Sequence, residues 1–285
     1  MDLVRLRVIE AVGRLGSVTA AARELHYSQP SVSHHLARLE AETGAQLLQR
    51  VGRGIRLTEA GRLLADRAAE IVGRVDNAAA ELSAHVGLSA GRVRLAGFSS
   101  AMSSLVPRAA AALATRHPGL QLTLIDTHPP EALDLLRSGR VDVAVIFRYD
   151  TTTPEPPDVR LVHLLDDPLH LLTTGGGTTL LDHRDDPWIA GCDRCRLHLL
   201  DMCEHAGFSP RIAASTDDMV VIQSLVAAGM GVATIPGLAL RSARVPGVTT
   251  TELTGSTRHI YAATYGQPPD PPATAALLDA LTAAS

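Results

Sequence analysis

The run Ser28-Gln29-Pro30-Ser31-Val32-Ser33-His34-His35-Leu36-Ala37-Arg38-Leu39-Glu40, inside the stretch from Ser17 to Thr58, constrains this chain more than any other. Ser28 can cap a helix, because its hydroxyl can accept one of the unpaired N–H groups of the first turn. Pro30 falls in that turn, where a missing N–H does no harm. Val32, Leu36 and Leu39 recur at i, i+4 and i+7 and make one narrow apolar stripe. The opposite arc carries Pro30, Ser31, Ser33, His34 and Arg38, with no carboxylate among them. A helix with that outer face can approach an anionic polymer closely, and the reading is that it enters the major groove of DNA.

At 285 residues the chain is long enough for two or three domains, and 46% hydrophobic with 20% charged residues is ordinary for a globular protein. The net charge of −4 argues against a protein that coats nucleic acid uniformly, but the charge is unevenly spread. Residues 1–58 hold eight arginines against five acidic residues, residues 59–90 three against five, and residues 91–285 fifteen against twenty. A basic N-terminal piece on an acidic remainder implies one module for phosphates and another for something else. Met1-Asp2-Leu3-Val4-Arg5 does not read as a signal peptide, no apolar run approaches a bilayer span, and three cysteines fit a reducing compartment. The expectation is a cytoplasmic protein with no membrane partner.

Residues 3–15 read as a helix ended by Gly16. Thr19 is expected to cap a second helix, Ala20 to Leu25, and His26-Tyr27 turn the chain into the third, giving a helix-turn-helix. Residues 47–58 then read as a hairpin with two glycines flanking Arg53 at its tip, and Arg50, Arg53 and Arg56 charge it positively. That makes a winged helix-turn-helix, the wing suited to phosphates or a minor groove. Thr58 caps a long helix whose Leu63, Leu64, Ala68, Ile71, Val72, Val75, Ala79 and Leu82 keep an apolar stripe until Gly87. Pairing with a second copy would bury that stripe. From Gly91, apolar strands at 93–96, 121–125 and 141–147 alternate with helices at 105–116 and 130–138. Strand candidates at 161–165, 169–173, 212–214, 232–235 and 259–264 continue a pattern that reads as a parallel sheet covered by helices.

Leu3, Ser17, Thr19-Ala20-Ala21-Ala22, Leu25, Ser28-Gln29-Pro30-Ser31-Val32-Ser33, Leu39-Glu40, Gly44, Leu47, Arg50, Leu57-Thr58 and Ala60-Gly61 together resemble the N-terminal signature of LysR-type transcriptional regulators. Leu225 to Pro236 and the Ala206-Gly207-Phe208, Pro210-Arg211-Ile212 stretch fit the same family more loosely. Leu6 and Leu48 stand where the family often has Phe, and His34 stands where a basic residue is frequent. The resemblance implies a fold class of α/β: an N-terminal winged helix-turn-helix, a long linker helix, then a two-subdomain α/β effector domain like a periplasmic binding protein. The corresponding boundaries are 1–58 for the DNA-binding domain, 59–90 for the linker and dimerisation helix and hinge, and 91–285 for the effector domain. Within the last, subdomain I takes about 91–163 and 264–285, and subdomain II about 164–263. The implied partners are a double-stranded DNA operator, a small-molecule effector and further copies of the chain, as a homodimer or homotetramer. The residues expected at DNA are Thr19, Ser28, Gln29, Pro30, Ser31, Ser33, His34, Arg38, Arg50 and Arg53.

Strand C-termini in open α/β sheets line a ligand crevice, which nominates Thr127, His128, Phe147 and Arg148 for the effector, and Ser99, Ser100, Cys192 and Thr216 are expected there with them. Gly97-Phe98-Ser99-Ser100-Ala101 is a near miss to a nucleophile elbow, and a hydrolase centred on Ser99, with His259 and Asp218 as partners, is the alternative from another class. Hydroxyls and free N–H groups there suit an anion or carbonyl better, and no enzymatic activity is expected. Cys192, Cys195 and Cys203 could share one helix stripe with Leu199, near His198 and His205. One continuous helix cannot easily converge four zinc ligands, so no metal or cofactor is expected there. Buried structural thiols are the default, and a redox-sensing regulator using those three cysteines is the second alternative.

Overall fold

The computed structural model describes residues 1–51, 54–85, 91–150 and 159–285. They form two compact units, Met1–Ala90 with Asp134–Asp142, and Gly91–Leu133 with Val143–Ser285.

The first unit opens with α1 (Leu3–Leu15), α2 (Val18–Glu24) and α3 (Gln29–Thr43). Asp2 caps α1 by accepting from the Arg5 N–H at 3.0 Å, and Gly16 ends it at φ 63. The cap of α2 is Ser17, not Thr19. Ser17 has the extended backbone that lets a hydroxyl turn back on its helix, and its Oγ accepts from the Ala20 N–H at 3.2 Å. Thr19 lies inside the first turn and is exposed. Ser28 caps α3 as its sequence implies, accepting from the Ser31 N–H at 3.3 Å. The stripe of Val32, Leu36 and Leu39 is buried against Leu6, Ile9, Val12 and Ala21.

A hairpin of β1 (Leu48–Val51) and β2 (Gly54–Leu57) follows, with Leu48 facing Leu57 and Arg50 facing Ile55. Gly52 and Arg53, at its tip, lie outside the described residues, as does the expected helix stop at Gly87. Glu40 ties α3 to the hairpin, its Oε1 accepting from the Leu47 and Leu48 N–H groups at 2.8 and 3.1 Å. Next comes α4 (Glu59–His85), capped by Thr58, whose Oγ1 accepts from the Gly61 N–H at 3.0 Å.

The apolar stripe of α4 is covered only in part. Leu64, Ala65, Ala68 and Val72 face the helical core, while Leu63, Ile71, Val75 and Leu82 stay exposed, at 62%, 42%, 42% and 64%. Part of the apolar surface of this helix is therefore left uncovered among the described residues.

From Gly91 the elements run β3 (Arg92–Gly97), α5 (Ser99–Met102), α6 (Leu105–Arg116), β4 (Gln121–Asp126), α7 (Pro129–Arg137), β5 (Val143–Arg148) and β6 (Val159–Thr173). Then come β7 (Pro187–Ala190), α8 (Asp193–His205), β8 (Arg211–Ser215), α9 (Met219–Ala227), β9 (Val232–Pro236), α10 (Gly237–Ser242), β10 (Thr249–Tyr265) and α11 (Pro272–Ala284). The strands make one sheet in the order β4-β3-β5-β10-β6-β9-β7-β8.

The expected parallel pattern holds on each flank, where β3 pairs with β4 and β5, and β7 with β8 and β9. The centre differs. β10 and β6 are antiparallel to each other, to β5 and to β9. The segments 161–165 and 169–173, which read as two strands, are one 15-residue strand, and 259–264 is the end of a 17-residue one. The two run in opposite directions between the flanks, so neither is bound by the helix-crossover rule that keeps the flanks parallel. Their pairing is bulged. Ile260 faces Leu165 but Tyr261 faces His163, leaving Leu164 as the extra residue.

Gly61 marks a tight fit between α4 and the hairpin. A Cβ there would stand 2.1 Å from the Leu47 carbonyl oxygen, a backbone atom that cannot swing aside. Gly61→Ala is expected to destabilise the N-terminal unit by about 1–3 kcal/mol, read as a lowered thermal midpoint.

Candidate functional site

Charge sorting in the N-terminal unit follows from who pairs with whom. Arg5 is engaged by Asp2 and Glu42, Arg14 by Glu10 and Glu24, and Arg7 by Asp76. Glu40 spends its carboxylate on the Leu47 and Leu48 amides. All five acidic residues of the first 58 are thereby occupied. Arg23, Arg38 and Arg56 have no ion pair among the described residues, and they stand on α2, α3 and β2. Among the described residues of the first 58, the guanidinium groups without an ion pair thus lie on α3 and its neighbours.

On α3, Ser28, Gln29, Pro30, Ser31, His34 and Arg38 are exposed and Ser33 is half-buried. The short side chains are ordered by one another. Ser28 Oγ lies 2.8 Å from Ser31 Oγ, and Gln29 Nε2 donates to Ser33 Oγ at 3.2 Å. His34 meets His35 edge-on with ring centroids 6.3 Å apart, and His35 in turn packs on Tyr27 at 5.8 Å. Arg50 lies on β1, and Arg53 falls outside the described residues.

A second centre sits where β6 and β10 cross. Arg258 of β10 and Asp167 of β6 face each other in register and are each 1% exposed. Arg258 donates through Nε to Asp167 Oδ2 at 2.8 Å and through Nη2 to Ser100 Oγ at 2.6 Å. Asp167 Oδ1 accepts from the Leu238 N–H at the start of α10, at 2.7 Å. The guanidinium lies 4.9 Å from the ring centroids of both Phe98 and Phe147. One buried ion pair thus links both crossing strands to α5 and α10.

Around it the structure gathers Ser100, Phe147 and Cys192. Phe147 is 2% exposed and packs edge-on against Phe98 and Tyr149, at 4.9 and 5.5 Å. Tyr149 stacks on His198 at 3.8 Å. Ser99 is half-buried at the start of α5. His128 Nε2 lies 3.1 Å from Asp217 Oδ2, which brings the loops bearing Thr127 and Thr216 together across the crossing pair. Arg148 is the residue not gathered. It faces His259 in register, and alternation along β10 puts His259 on the opposite face from Arg258. His259 is held by Asp166 at 2.7 Å and Asp218 caps α9, so neither supplies a base to Ser99.

The cysteines separate into a pair and a single. Cys203 is fully buried, and burial lifts its thiol to about 11. Cys192 is the N-cap of α8 rather than part of its stripe, and its Sγ lies 2.8 Å from that of Cys195. The hydrogen bond from Cys192, aided by that from Tyr149 and the charge of Arg258, brings Cys195 down to about 6 against the opposing effect of burial. The thiolate so formed pushes Cys192 upward. Both thiols pack against the Phe98–Phe147 core, so this corner is continuous with the Arg258 centre.

Asp167, Arg258 and Tyr149 escape the sequence reading. Their signal is faint: an acidic doublet, Asp166-Asp167, inside an otherwise apolar strand, and Arg258-His259 inside another.

Comparison with known proteins finds matches for both parts of the chain. Residues 3–62 match the family described as "Bacterial regulatory helix-turn-helix protein, lysR family", and residues 87–285 match "LysR substrate binding domain". The chain is 27% identical over 251 residues to the uncharacterized HTH-type transcriptional regulator YvbU of Bacillus subtilis (strain 168), covering 86% of this chain and 85% of that one. Among solved structures, full-length CbnR in complex with its target DNA matches with a TM-score of 0.67 at 23% identity, covering all of both chains. A full-length variant of OxyR from Pseudomonas aeruginosa matches with a TM-score of 0.71 at 21% identity, covering 100% of this chain and 99% of that one.

Two outcomes test this geometry. Asp167→Ala strands a buried guanidinium and is expected to cost about 3–5 kcal/mol in denaturant unfolding of the C-terminal unit. In Cys192→Ala, the thiolate absorbance of Cys195 should appear at a midpoint above about 6, because the main hydrogen bond stabilising the thiolate is gone.

Proposed function

The chain belongs to the LysR family of DNA-binding transcriptional regulators with an effector-binding domain, and on that premise we propose which of its residues carry each task. α3 lies in the major groove, with Ser31, Ser33 and His34 at base edges and Ser28, Gln29, Pro30 and Thr19 along the flanking backbone. Arg38, Arg50 and Arg53 neutralise phosphates, the last two from the wing. Arg23 and Arg56, exposed and unpaired among the described residues, join them.

The observation that carries this reading is the sorting of charge. Every carboxylate of the first 58 residues is spent on an arginine or an amide, leaving the unpaired arginines about α3. CbnR, to which the chain is similar in fold, has been solved with its target DNA.

The exposed face of α4 at Leu63, Ile71, Val75 and Leu82 supports assembly through that helix, as a dimer that presents two copies of α3 to one operator. Boundaries near residues 58 and 90 separate the DNA module, the pairing helix and the effector domain. The described helices include none long and apolar enough to cross a membrane, and a DNA partner implies work in the cytoplasm.

The effector engages the Arg258 centre through an anionic or carbonyl group, bonding with Ser100 and Ser99 and bordered by Thr127, His128, Cys192 and Thr216. Such a ligand competes with Asp167 for the guanidinium, which gives it different affinities for the paired and unpaired arrangements, as coupling requires.

Arg38→Ala is expected to weaken binding on every DNA sequence and to lower the salt slope by about 1, while His34→Ala changes base preference with the salt slope intact. Salt titrations of both variants on an operator and on scrambled DNA decide this. Wild-type behaviour of both would sink the docking.

A further inference from the structure

On the solvent face of the crossing strands, directly behind the buried ion pair, one group of three metal-ligating side chains converges among the described residues: His163, Asp166 and His259. Asp166 Oδ1 is the meeting point. His163 Nε2 lies 2.8 Å from it and His259 Nδ1 2.7 Å. The candidate ligand atoms are all within 4.8 Å of one another. We propose that these residues form a site for a divalent transition-metal ion that clamps β6 to β10.

The strand geometry shows why the three meet. Residues three apart on a regular strand point to opposite faces, which would separate His163 from Asp166. The bulge at Leu164 inserts one residue between them and restores both to one side. On β10, His259 and Tyr261 alternate onto that same side, His259 opposite Asp166 and Tyr261 opposite His163. Tyr261 meets the His163 ring edge-on at 5.4 Å and fixes its plane. The groups remain reachable, since His163, Asp166 and His259 side chains are 49%, 58% and 26% exposed.

The donor set selects the ion. Two imidazole nitrogens and one carboxylate suit Zn²⁺, Co²⁺, Ni²⁺ or Cu²⁺, whereas Ca²⁺ and Mg²⁺ require shells of oxygen. Asp166 is the one carboxylate of the group, too few oxygen donors for a hard cation. Three protein ligands leave the remaining positions to water. Metal–nitrogen distances of about 2.0–2.1 Å are within reach of small ring rotations from the observed positions.

The position gives the ion a consequence. His259 and Asp166 are adjacent in sequence to Arg258 and Asp167, and the two register pairs are neighbours on the ladder. A metal bound behind would hold the strands in the register that the buried ion pair requires. Occupancy would therefore oppose any sliding or opening of the crossing. This holds independently of which residues read the operator.

The test is a Co²⁺ titration of the untagged full chain. One ion per chain is expected, with visible d–d absorption and no intense sulfur-to-cobalt charge-transfer band. Zn²⁺ should raise the thermal midpoint and Ca²⁺ should not. His163→Ala and Asp166→Asn should each weaken Co²⁺ binding by at least about tenfold with far-ultraviolet circular dichroism unchanged. Should His163→Ala fail to fold, the near-isosteric Asp166→Asn decides alone. The proposal is overturned by the absence of saturable binding, by a charge-transfer band that places the ion at Cys192 and Cys195, or by wild-type affinity in Asp166→Asn.

Discussion

The buried pairing of Arg258 with Asp167 sets terms that the rest of the C-terminal unit must meet. A guanidinium removed from water needs a counter-charge and further acceptors, and here the network draws on four separate elements. β6 supplies the carboxylate, β10 the arginine, α5 the Ser100 hydroxyl, and α10 a backbone N–H that satisfies the second carboxylate oxygen. Phe98 and Phe147 close the space with their ring faces near the cation. Moving any one of these elements leaves a buried polar group without its partner. The two parallel flanks of the sheet are therefore tied by a polar contact as well as by apolar packing, and a polar ligand can compete for such a contact directly.

Much of the N-terminal unit is legible in the sequence because its rules are local. The α3 stripe, its Ser28 cap and the glycine stops at Gly16 and Gly44 depend on residues within one or two turns. Ser17 and Thr19 show where even local rules run short. Two hydroxyl residues stand two positions apart, either could cap, and the backbone angle that decides is not written in the side chains. The stripe of α4 is simpler in sequence than in the fold. Eight apolar residues over seven turns read as one surface, but the helical core covers only some of them.

The C-terminal unit is legible in its flanks and not in its centre. Alternation of strands and helices identifies parallel flanks, but it carries no information on strand direction once the connections grow long. β6 and β10 lie far apart in the chain and read as three short strands. Their pairing, their bulge and the partners Asp167 and Arg258, separated by 91 residues, are consequences of tertiary register. The charged doublets within apolar strands are visible, yet only the ladder shows that they oppose one another.

The bare face of α4 has a consequence for gene control as dosage. If Leu63, Ile71, Val75 and Leu82 find cover only in another copy, the active species grows faster than the number of chains made. Promoter occupancy then responds more steeply than first order to synthesis and dilution of the regulator. A cell carrying it sets its threshold partly through copy number, before any metabolite is sensed. Growth rate and translation of this one transcript become inputs to the same switch.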